Sequence, residues 1–181
     1  MKKLFESPVF ALLLAVVVVI GSTLLNTRIK FGRKCSAICN EFYEQSDSVS
    51  AELRNFCSAA EKVALTAQQA ELPDANAALQ DVEELRNLLY QQSSDLNSIH
   101  ALYQQLLSST FGLEAALSRM ELSYTQAAAL AAAQHDAAAA KAAIDDSDFN
   151  SSARSFLKRY QKFPTPTLAG MVGLNMPCAF D

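Results

Sequence analysis

The feature that most constrains this chain is an uncharged apolar segment near its N-terminus. From Ser7 to Thr27 there are 21 residues without a charge. As an α-helix rising ~1.5 Å per residue they would reach ~31 Å, about the thickness of the hydrocarbon core of a bilayer. Ser7 and Pro8 suit a helix start, because Ser accepts hydrogen bonds from free amides and Pro lacks an N–H that would go unpaired. The segment is therefore predicted to be a transmembrane helix.

A cleavable signal peptide is the alternative for the same segment. Lys2 and Lys3 resemble the basic start of such a peptide, and the run from Ala11 to Ile20 resembles its apolar region. However, Val19-Ile20-Gly21 lacks the small-x-small pattern of a cleavage site, and the apolar run continues beyond it. We therefore expect the segment to be retained as an anchor.

Basic residues flank both ends of the segment. Lys2 and Lys3 precede it, and four basic residues follow it: Arg28, Lys30, Arg33 and Lys34. The positive-inside rule counts Lys and Arg near the ends of a span and places the more basic side in the cytoplasm. The count favours a cytoplasmic C-terminal domain, although the small margin leaves an extracytoplasmic domain open.

The rest of the chain shows the 3.6-residue period of α-helices. Gly is absent between Gly32 and Gly112, and Pro is absent between Pro73 and Pro164, so long helices fit these intervals. Apolar residues recur at spacings of three, four or seven in three stripes. The first stripe comprises Phe31, Cys35, Ile38, Phe42, Val49, Leu53, Phe56, Ala60 and Val63. The second comprises Leu79, Val82, Leu85, Leu89, Leu96, Ile99, Tyr103 and Leu106. The third comprises Leu113, Leu117, Met120 and Tyr124 and leads into Ala127–Ala143, where 12 of 17 residues are Ala.

These stripes predict where the helices end. The membrane helix is expected to continue through the first stripe and to end near Leu72-Pro73-Asp74. The second stripe keeps its phase across Ser93-Ser94-Asp95, which predicts one helix or two nearly collinear helices. Thr110-Phe111-Gly112 is the next expected break. The run Asp145 to Asp148 is expected to form a kink or a cap before a last helix through Lys162.

The predicted fold is therefore all-α, with an N-terminal transmembrane helix that continues into an antiparallel bundle of three to four long helices. Residues 1–27 are the predicted N-terminal tail and transmembrane helix, and residues 28–163 are the predicted helical bundle. Residues 164–181, after Phe163, form a predicted irregular apolar tail, because Pro164, Gly170 and Gly173 interrupt regular structure.

Few residues indicate catalysis, metal binding or nucleic-acid binding. The formal charge of −4 provides no basic field for a phosphate backbone, so nucleic acid is not an expected partner. The cysteines at Cys35, Cys39, Cys57 and Cys178 lack the paired spacings of zinc or redox motifs, and packing thiols are favoured over disulfides. The two histidines lie in different predicted helices with few possible ligands nearby. We expect no catalytic, cofactor-binding or metal site.

The C-terminal part carries a spaced set of aromatic, amide and small residues. They are Phe149, Asn150, Ala153, Phe156, Phe163, Pro164, Gly173 and Phe180. In type and spacing this set resembles the C-terminal motif of the LemA family of bacterial membrane-anchored helical proteins. The region from Gln45 to Leu53 departs from the family's usual first soluble helix, so the chain resembles a divergent member. The resemblance implies a single-pass protein of the bacterial inner membrane. Because the aromatic residues share one helical face, their expected role is core packing.

Two classes of function remain. The first is a membrane-anchored interaction or scaffold protein, whose partners are the lipid bilayer and one or more proteins, with self-association left open. The second is a ligand-binding bundle or cofactor-free enzyme with a pocket between helices. A long apolar or Ala-lined exposed groove would favour the first class. A buried cluster of perturbed His and carboxylates would favour the second.

Overall fold

The protein is built from helices. The computed structural model describes residues 8–44, 48–93, 95–160, 162, 166–167, 170 and 176–180. These residues form six long helices: α1 Pro8–Glu44, α2 Val49–Gln69, α3 Ala75–Tyr90, α4 Leu96–Leu117, α5 Tyr124–Asp145 and α6 Asp148–Tyr160. Within these ranges there is no strand, and the predicted all-α class is confirmed.

Helix α1 has two parts with opposite surroundings. Between Leu12 and Leu25, nine large apolar side chains are 48–67% exposed. From Phe31 onward one face is buried, and Phe42 at its far end is fully enclosed. Among the described helices, α1 is the one long and apolar enough to cross a membrane. As predicted, the apolar segment and the first part of the chain that packs in the bundle form one continuous helix.

The first predicted boundary was wrong. The expected continuous helix to Leu72 is divided, because α1 ends at Glu44 and α2 begins at Val49. Ser48 caps α2, its hydroxyl accepting a hydrogen bond from the backbone N–H of Ala51 at 3.3 Å. A cap of this kind satisfies an amide that a new helix would otherwise leave unpaired.

The second stripe also belongs to two helices, and they are not collinear. The chain turns after α3, with Gln92 at a φ of 48°, and Asp95 caps α4 by accepting from the N–H of Ser98. The Gln105 side chain of α4 donates to Asp81 of α3 over 2.8 Å. This contact joins residues at similar distances from the turn, so α3 and α4 form an antiparallel hairpin.

The expected break at Thr110-Phe111-Gly112 is absent, since α4 runs through it to Leu117. The Thr110 hydroxyl donates to the carbonyl of Leu106, one helical turn earlier. The chain leaves the helix at Ser118 instead, and Ser123 starts α5 with a capping box. Met120 and Tyr124, predicted to continue the apolar stripe, are therefore 41% and 88% exposed. The boundary predicted near Asp145 is correct, because α5 ends there and α6 begins at Asp148.

Helix α2 is the centre of the bundle. It packs against α3, α4 and α5, and more lightly against α1. Helix α3 runs antiparallel to α2, because Gln68 contacts Asn76 while the earlier Glu61 contacts the later Arg86. Helix α5 is also antiparallel to α2, because Gln69 contacts Gln126 while Lys62 contacts Asp136. The first half of α2 joins a large apolar cluster to which all six helices contribute, and its second half joins a smaller cluster with α3, α4 and α5. The contacts of Phe149 with Phe42 and of Phe156 with Phe31 show that α6 runs antiparallel to α1, so the chain returns to the end of the apolar segment.

Candidate functional site

The C-terminal motif residues that the structure describes lie in one core. Phe149, Ala153 and Phe156 share the buried face of α6, and Asn150 beside them is 1% exposed. Phe180, thirty residues later, is fully buried against the same group. The motif positions Phe163, Pro164 and Gly173 lie outside the described residues.

Asn150 links the C-terminal segment to the bundle. Its side-chain amide donates to the carbonyl of Phe180 at 3.0 Å, and its side-chain oxygen accepts from the Phe180 N–H at 2.7 Å. The same amide donates to the carbonyl of Ile144 at the end of α5, at 2.7 Å. One side chain therefore joins α5, α6 and the segment from Met176 to Phe180 through buried hydrogen bonds, which must be made because burying these polar groups unpaired is costly.

Aromatic rings close this region to solvent. The Phe180 ring lies 5.3 Å from that of Phe42 and 5.2 Å from that of His100, centroid to centroid. Phe149 contacts Phe42 edge-on at 5.3 Å. The Cys178 thiol donates to the carbonyl of Leu96 at 3.3 Å. These contacts form a closely packed aromatic core between α1, α4, α6 and the segment from Met176 to Phe180.

Helices α1 and α6 meet again near the end of the apolar segment. The Phe31 ring lies 5.1 Å from Phe156 and 5.4 Å from Tyr160. Lys34 donates to the Tyr160 hydroxyl at 2.7 Å, and its ammonium lies 5.2 Å from the centre of the same ring. The hydrogen bond from Lys34, together with the positive charge of Arg159, lowers the pKa of Tyr160. Positive charge is therefore concentrated where these two helices meet.

Helix α5 exposes an unusual surface of small residues. It buries a narrow stripe against α2, formed by Leu130, Ala133, Ala137, Ala140 and Ile144. Its opposite face is exposed and has His135 at its centre, but it consists mostly of alanine: Ala128, Ala131, Ala132, Ala138, Ala139 and Ala142. We call this set the outward face of α5. At its margin, between α2 and α5, lies an open groove of about 600 Å³ that includes Ala59, Ala139 and Ala143.

A smaller and more polar cavity lies where the α1–α2 and α5–α6 junctions come together. It has a volume of about 320 Å³ and is lined by the carboxylates Glu41, Glu52, Asp146 and Asp148. Glu41 already accepts a hydrogen bond from the Ser152 hydroxyl at 3.2 Å. No group of three or more His, Cys, Asp or Glu side chains is placed to hold a metal ion, as far as the described residues extend.

The histidines and cysteines do not converge on a reactive site. His135 projects into solvent from α5, with 85% of its side chain exposed, whereas His100 of α4 packs on Phe180. All four cysteines are free thiols, as the packing interpretation expected. Burial raises the pKa of the Cys57 thiol to about 12, so this thiol stays protonated and unreactive at neutral pH.

Sequence reasoning missed two relationships, the bonds from Asn150 to Phe180 and the meeting of Lys34 with Tyr160. The only sequence signal for the first is a polar residue, Asn150, inside an apolar helical face. The second has a compositional signal, since α6 carries no acidic residue after Asp148. Comparison of the chain with protein-family models, curated proteins and solved structures found no match.

Proposed function

We propose that this protein is a membrane-anchored helical interaction or scaffold protein of the LemA-like type, without catalytic activity of its own. In this proposal α1 crosses the bacterial inner membrane once, and the bundle lies on the cytoplasmic side. The partners are the lipid bilayer and a protein that docks on the bundle through a helix.

The anchor is supported by the two surroundings of α1. Large apolar side chains from Leu12 to Leu25 are left uncovered by the bundle. Contiguous apolar surface of this kind is rare on soluble monomers and is stable in a hydrocarbon environment. Because α1 continues into the buried core at Phe31 and Phe42, the anchor and the bundle are one packed unit.

The observation that carries the interaction function is the outward face of α5. Alanine side chains let a second helix approach closely, and they lose almost no side-chain entropy when they are covered. The polar neighbours Lys62 and Asp136 pair with each other at the margin over 3.1 Å and would form a polar rim. A long apolar or Ala-lined exposed groove was the feature expected of an interaction protein, and the outward face borders the open groove between α2 and α5.

The LemA-like type is supported by the placement of the motif residues. Phe149 packs on Phe180 and on Phe42 at the far end of α1, and Asn150 is hydrogen-bonded to Phe180. Phe156 packs on Phe31, nearer the apolar segment of α1. A motif with this role would be kept because it closes the bundle around the anchor helix, whatever partner the outward surface binds.

Site-specific photo-crosslinking in cells tests the interaction function. A photoreactive residue is placed at Ala131 or Ala138 of the outward face, and at Glu84, an exposed position of α3, as the matched control. We expect a discrete crosslinked product from the two α5 positions and none from Glu84.

A charge on the same face should remove the product. Ala131→Glu combined with Ala138→Glu places two carboxylates on an exposed surface, so the fold should be retained while a close helix contact is lost. A crosslinked product twice the mass of the chain would identify the partner as a second copy. Equal crosslinking from all three positions, or none from α5, would contradict the proposal.

A further inference from the structure

Helix α6 brings a distant part of the chain back to the end of the apolar segment. Tyr160 contacts Phe31 through ring packing and Lys34 through a hydrogen bond, although 126 residues separate Lys34 from Tyr160. If the hydrocarbon core ends near Thr27, then at ~1.5 Å per residue Phe31 and Lys34 lie ~6 to 10 Å beyond it. Because the headgroup region of a bilayer is roughly 5 to 8 Å thick on each side, Phe31 lies within it and Lys34 just beyond it, so the last turn of α6 lies at the outer edge of the headgroups.

Among the residues that the structure describes, the charged ones at this level are all basic. On α1 they are Arg28, Lys30, Arg33 and Lys34, and at the end of α6 they are Lys158, Arg159 and Lys162, which follows the helix. All seven are exposed. We call this set the basic collar. With Arg154, residues 28–40 and 149–162 contain eight of the fifteen Lys and Arg residues and none of the nineteen Asp and Glu residues.

The rest of the bundle has the opposite character. The chain carries a net charge of −4 in spite of this basic end, so the remainder of the protein is acidic. An acidic body would be repelled by an anionic membrane surface, whereas the collar would be attracted to it. The charge distribution therefore distinguishes one end of the bundle sharply from the others.

We propose that the basic collar binds the anionic phosphate headgroups of the leaflet that faces the bundle. Lys and Arg near a membrane surface are attracted to anionic lipids, and Tyr is enriched at the same depth because its ring is apolar and its hydroxyl polar. The three collar residues contributed by α6 lie far from the span in sequence, so they bind headgroups only because the fold returns them to the membrane. They hold the bundle down on the bilayer surface and select the lipids around it.

This inference rests on the proposed membrane anchor, so the experiment measures the two separately. The purified full-length chain is reconstituted into vesicles of phosphatidylcholine alone and of phosphatidylcholine mixed with phosphatidylglycerol. Flotation with the neutral vesicles shows whether the chain is anchored in a bilayer that contains no anionic lipid. Electron paramagnetic resonance with spin-labelled lipids then compares the association of phosphatidylglycerol and phosphatidylcholine with the protein, at low and at high salt.

Three variants separate the collar from charge in general. The collar variant carries Lys158→Gln, Arg159→Gln and Lys162→Gln. The matched control loses the same number of positive charges elsewhere through Lys62→Gln, Arg119→Gln and Lys141→Gln. A third variant keeps the charge through Lys158→Arg, Arg159→Lys and Lys162→Arg. Circular dichroism melting checks that all three fold.

We expect the wild-type chain to prefer phosphatidylglycerol at low salt, with a preference that weakens at high salt because exposed charges are screened. The collar variant should lose at least about half of that preference, while the matched control and the charge-preserving variant retain it. No preference in the wild-type chain, or equal preference in the collar variant, would overturn the inference and leave the anchor standing.

An equal loss in the matched control would also overturn it, because net charge rather than the collar would then be responsible. Failure of the wild-type chain to float with neutral vesicles would overturn the anchor. In that case, collar-dependent binding to phosphatidylglycerol vesicles would still support the collar, and its absence would reject both.

Discussion

Replacing Asn150 by alanine tests how the end of the chain contributes to stability. The Asn150 side chain makes three hydrogen bonds, two with the backbone of Phe180 and one with the carbonyl of Ile144. Asn150→Ala removes all three and leaves the buried N–H and C=O of Phe180 without the side chain that pairs with them. We therefore expect the segment from Met176 to Phe180 to detach in the variant.

The variant can either keep the segment from Met176 to Phe180 in place or release it, and the response that costs less free energy sets the loss of stability. If the segment stays in place, two buried backbone groups of Phe180 lose their partner, at about 1 to 3 kcal/mol each. If it detaches, those groups hydrate, and the main cost is exposure of the Phe180 side chain, about 1.5 to 3 kcal/mol. The carbonyl of Ile144 keeps another partner in the N–H of Ser147 at 3.2 Å, so its lost bond costs about 0.5 to 1.5 kcal/mol. The expected loss is about 2 to 4.5 kcal/mol, a large part of a typical stability of about 5 to 15.

A double-mutant cycle separates the link from other effects of the substitution. Unfolding of the full-length chain in detergent is followed by far-ultraviolet circular dichroism for wild type, Asn150→Ala, a deletion of residues 176–181, and the combination. Because the deletion already removes Phe180, Asn150→Ala should cost much less in the deleted chain, and the coupling energy should be at least about 1 kcal/mol.

Asn87→Ala on the exposed side of α3 serves as the control and should change stability by less than about 0.5 kcal/mol. Carboxypeptidase should also trim Asn150→Ala faster than wild type, since its C-terminus is released. If Asn150→Ala costs the same with and without residues 176–181, the bonds to Phe180 contribute nothing and the reasoning is refuted.

Four further predictions concern the core and the membrane orientation. Leu96→Asp should abolish cooperative melting by circular dichroism, because it buries an unpaired charge where Leu96 is 2% exposed; an unchanged melting temperature would mean that this stripe is not core. Tyr103→Phe should leave stability unchanged or raise it by about 1 kcal/mol in denaturant titrations, since the buried Tyr103 hydroxyl has no partner among the described residues. Burial raises the pKa of Cys57 to about 12, so as pH rises this thiol ionises in the unfolded chain before it ionises in the folded one. The free energy of unfolding should therefore fall above about pH 9, by up to ~1.4 kcal/mol per pH unit, and the fall should be shallower in Cys57→Ala. Replacing the four basic residues of α1 in the collar by Gln should cause part of the protein to insert with the bundle outside the cell. Compartment-specific thiol labelling of a reporter fusion, after denaturation, measures this change. Labelling of the wild-type chain from outside would contradict the proposed orientation.

The amino-acid sequence was sufficient for the fold class and for most of the core. Every residue of the first apolar stripe, from Phe31 to Val63, is buried, and so are all members of the second except the partly buried Leu79. These predictions succeed because helical period and burial are local properties, since a residue's face is set by its neighbours three and four positions away. The apolar segment before Arg28 could also be predicted from the sequence, because the length needed to span a bilayer depends only on the number of consecutive uncharged, apolar residues.

The same stripes did not predict where the helices end. Each contains a single seven-residue gap, from Phe42 to Val49 and from Leu89 to Leu96, and in both cases the chain leaves one helix and starts another within the gap. A seven-residue spacing is two turns of a continuous helix, but it is also long enough for a short turn and a new cap. Which of these occurs depends on whether the next segment finds a surface to pack on, and the sequence does not contain that information locally.

Only the tertiary structure decided which distant residues act together. The bonds of Asn150 to Phe180 and the contact of Lys34 with Tyr160 join residues 30 and 126 positions apart. The sequence shows basic residues after the span and, separately, basic residues near the end of α6. Their assembly into one collar requires α6 to run antiparallel to α1. That direction follows from the packing of Phe149 on Phe42 and of Phe156 on Phe31, long-range contacts that no local period specifies.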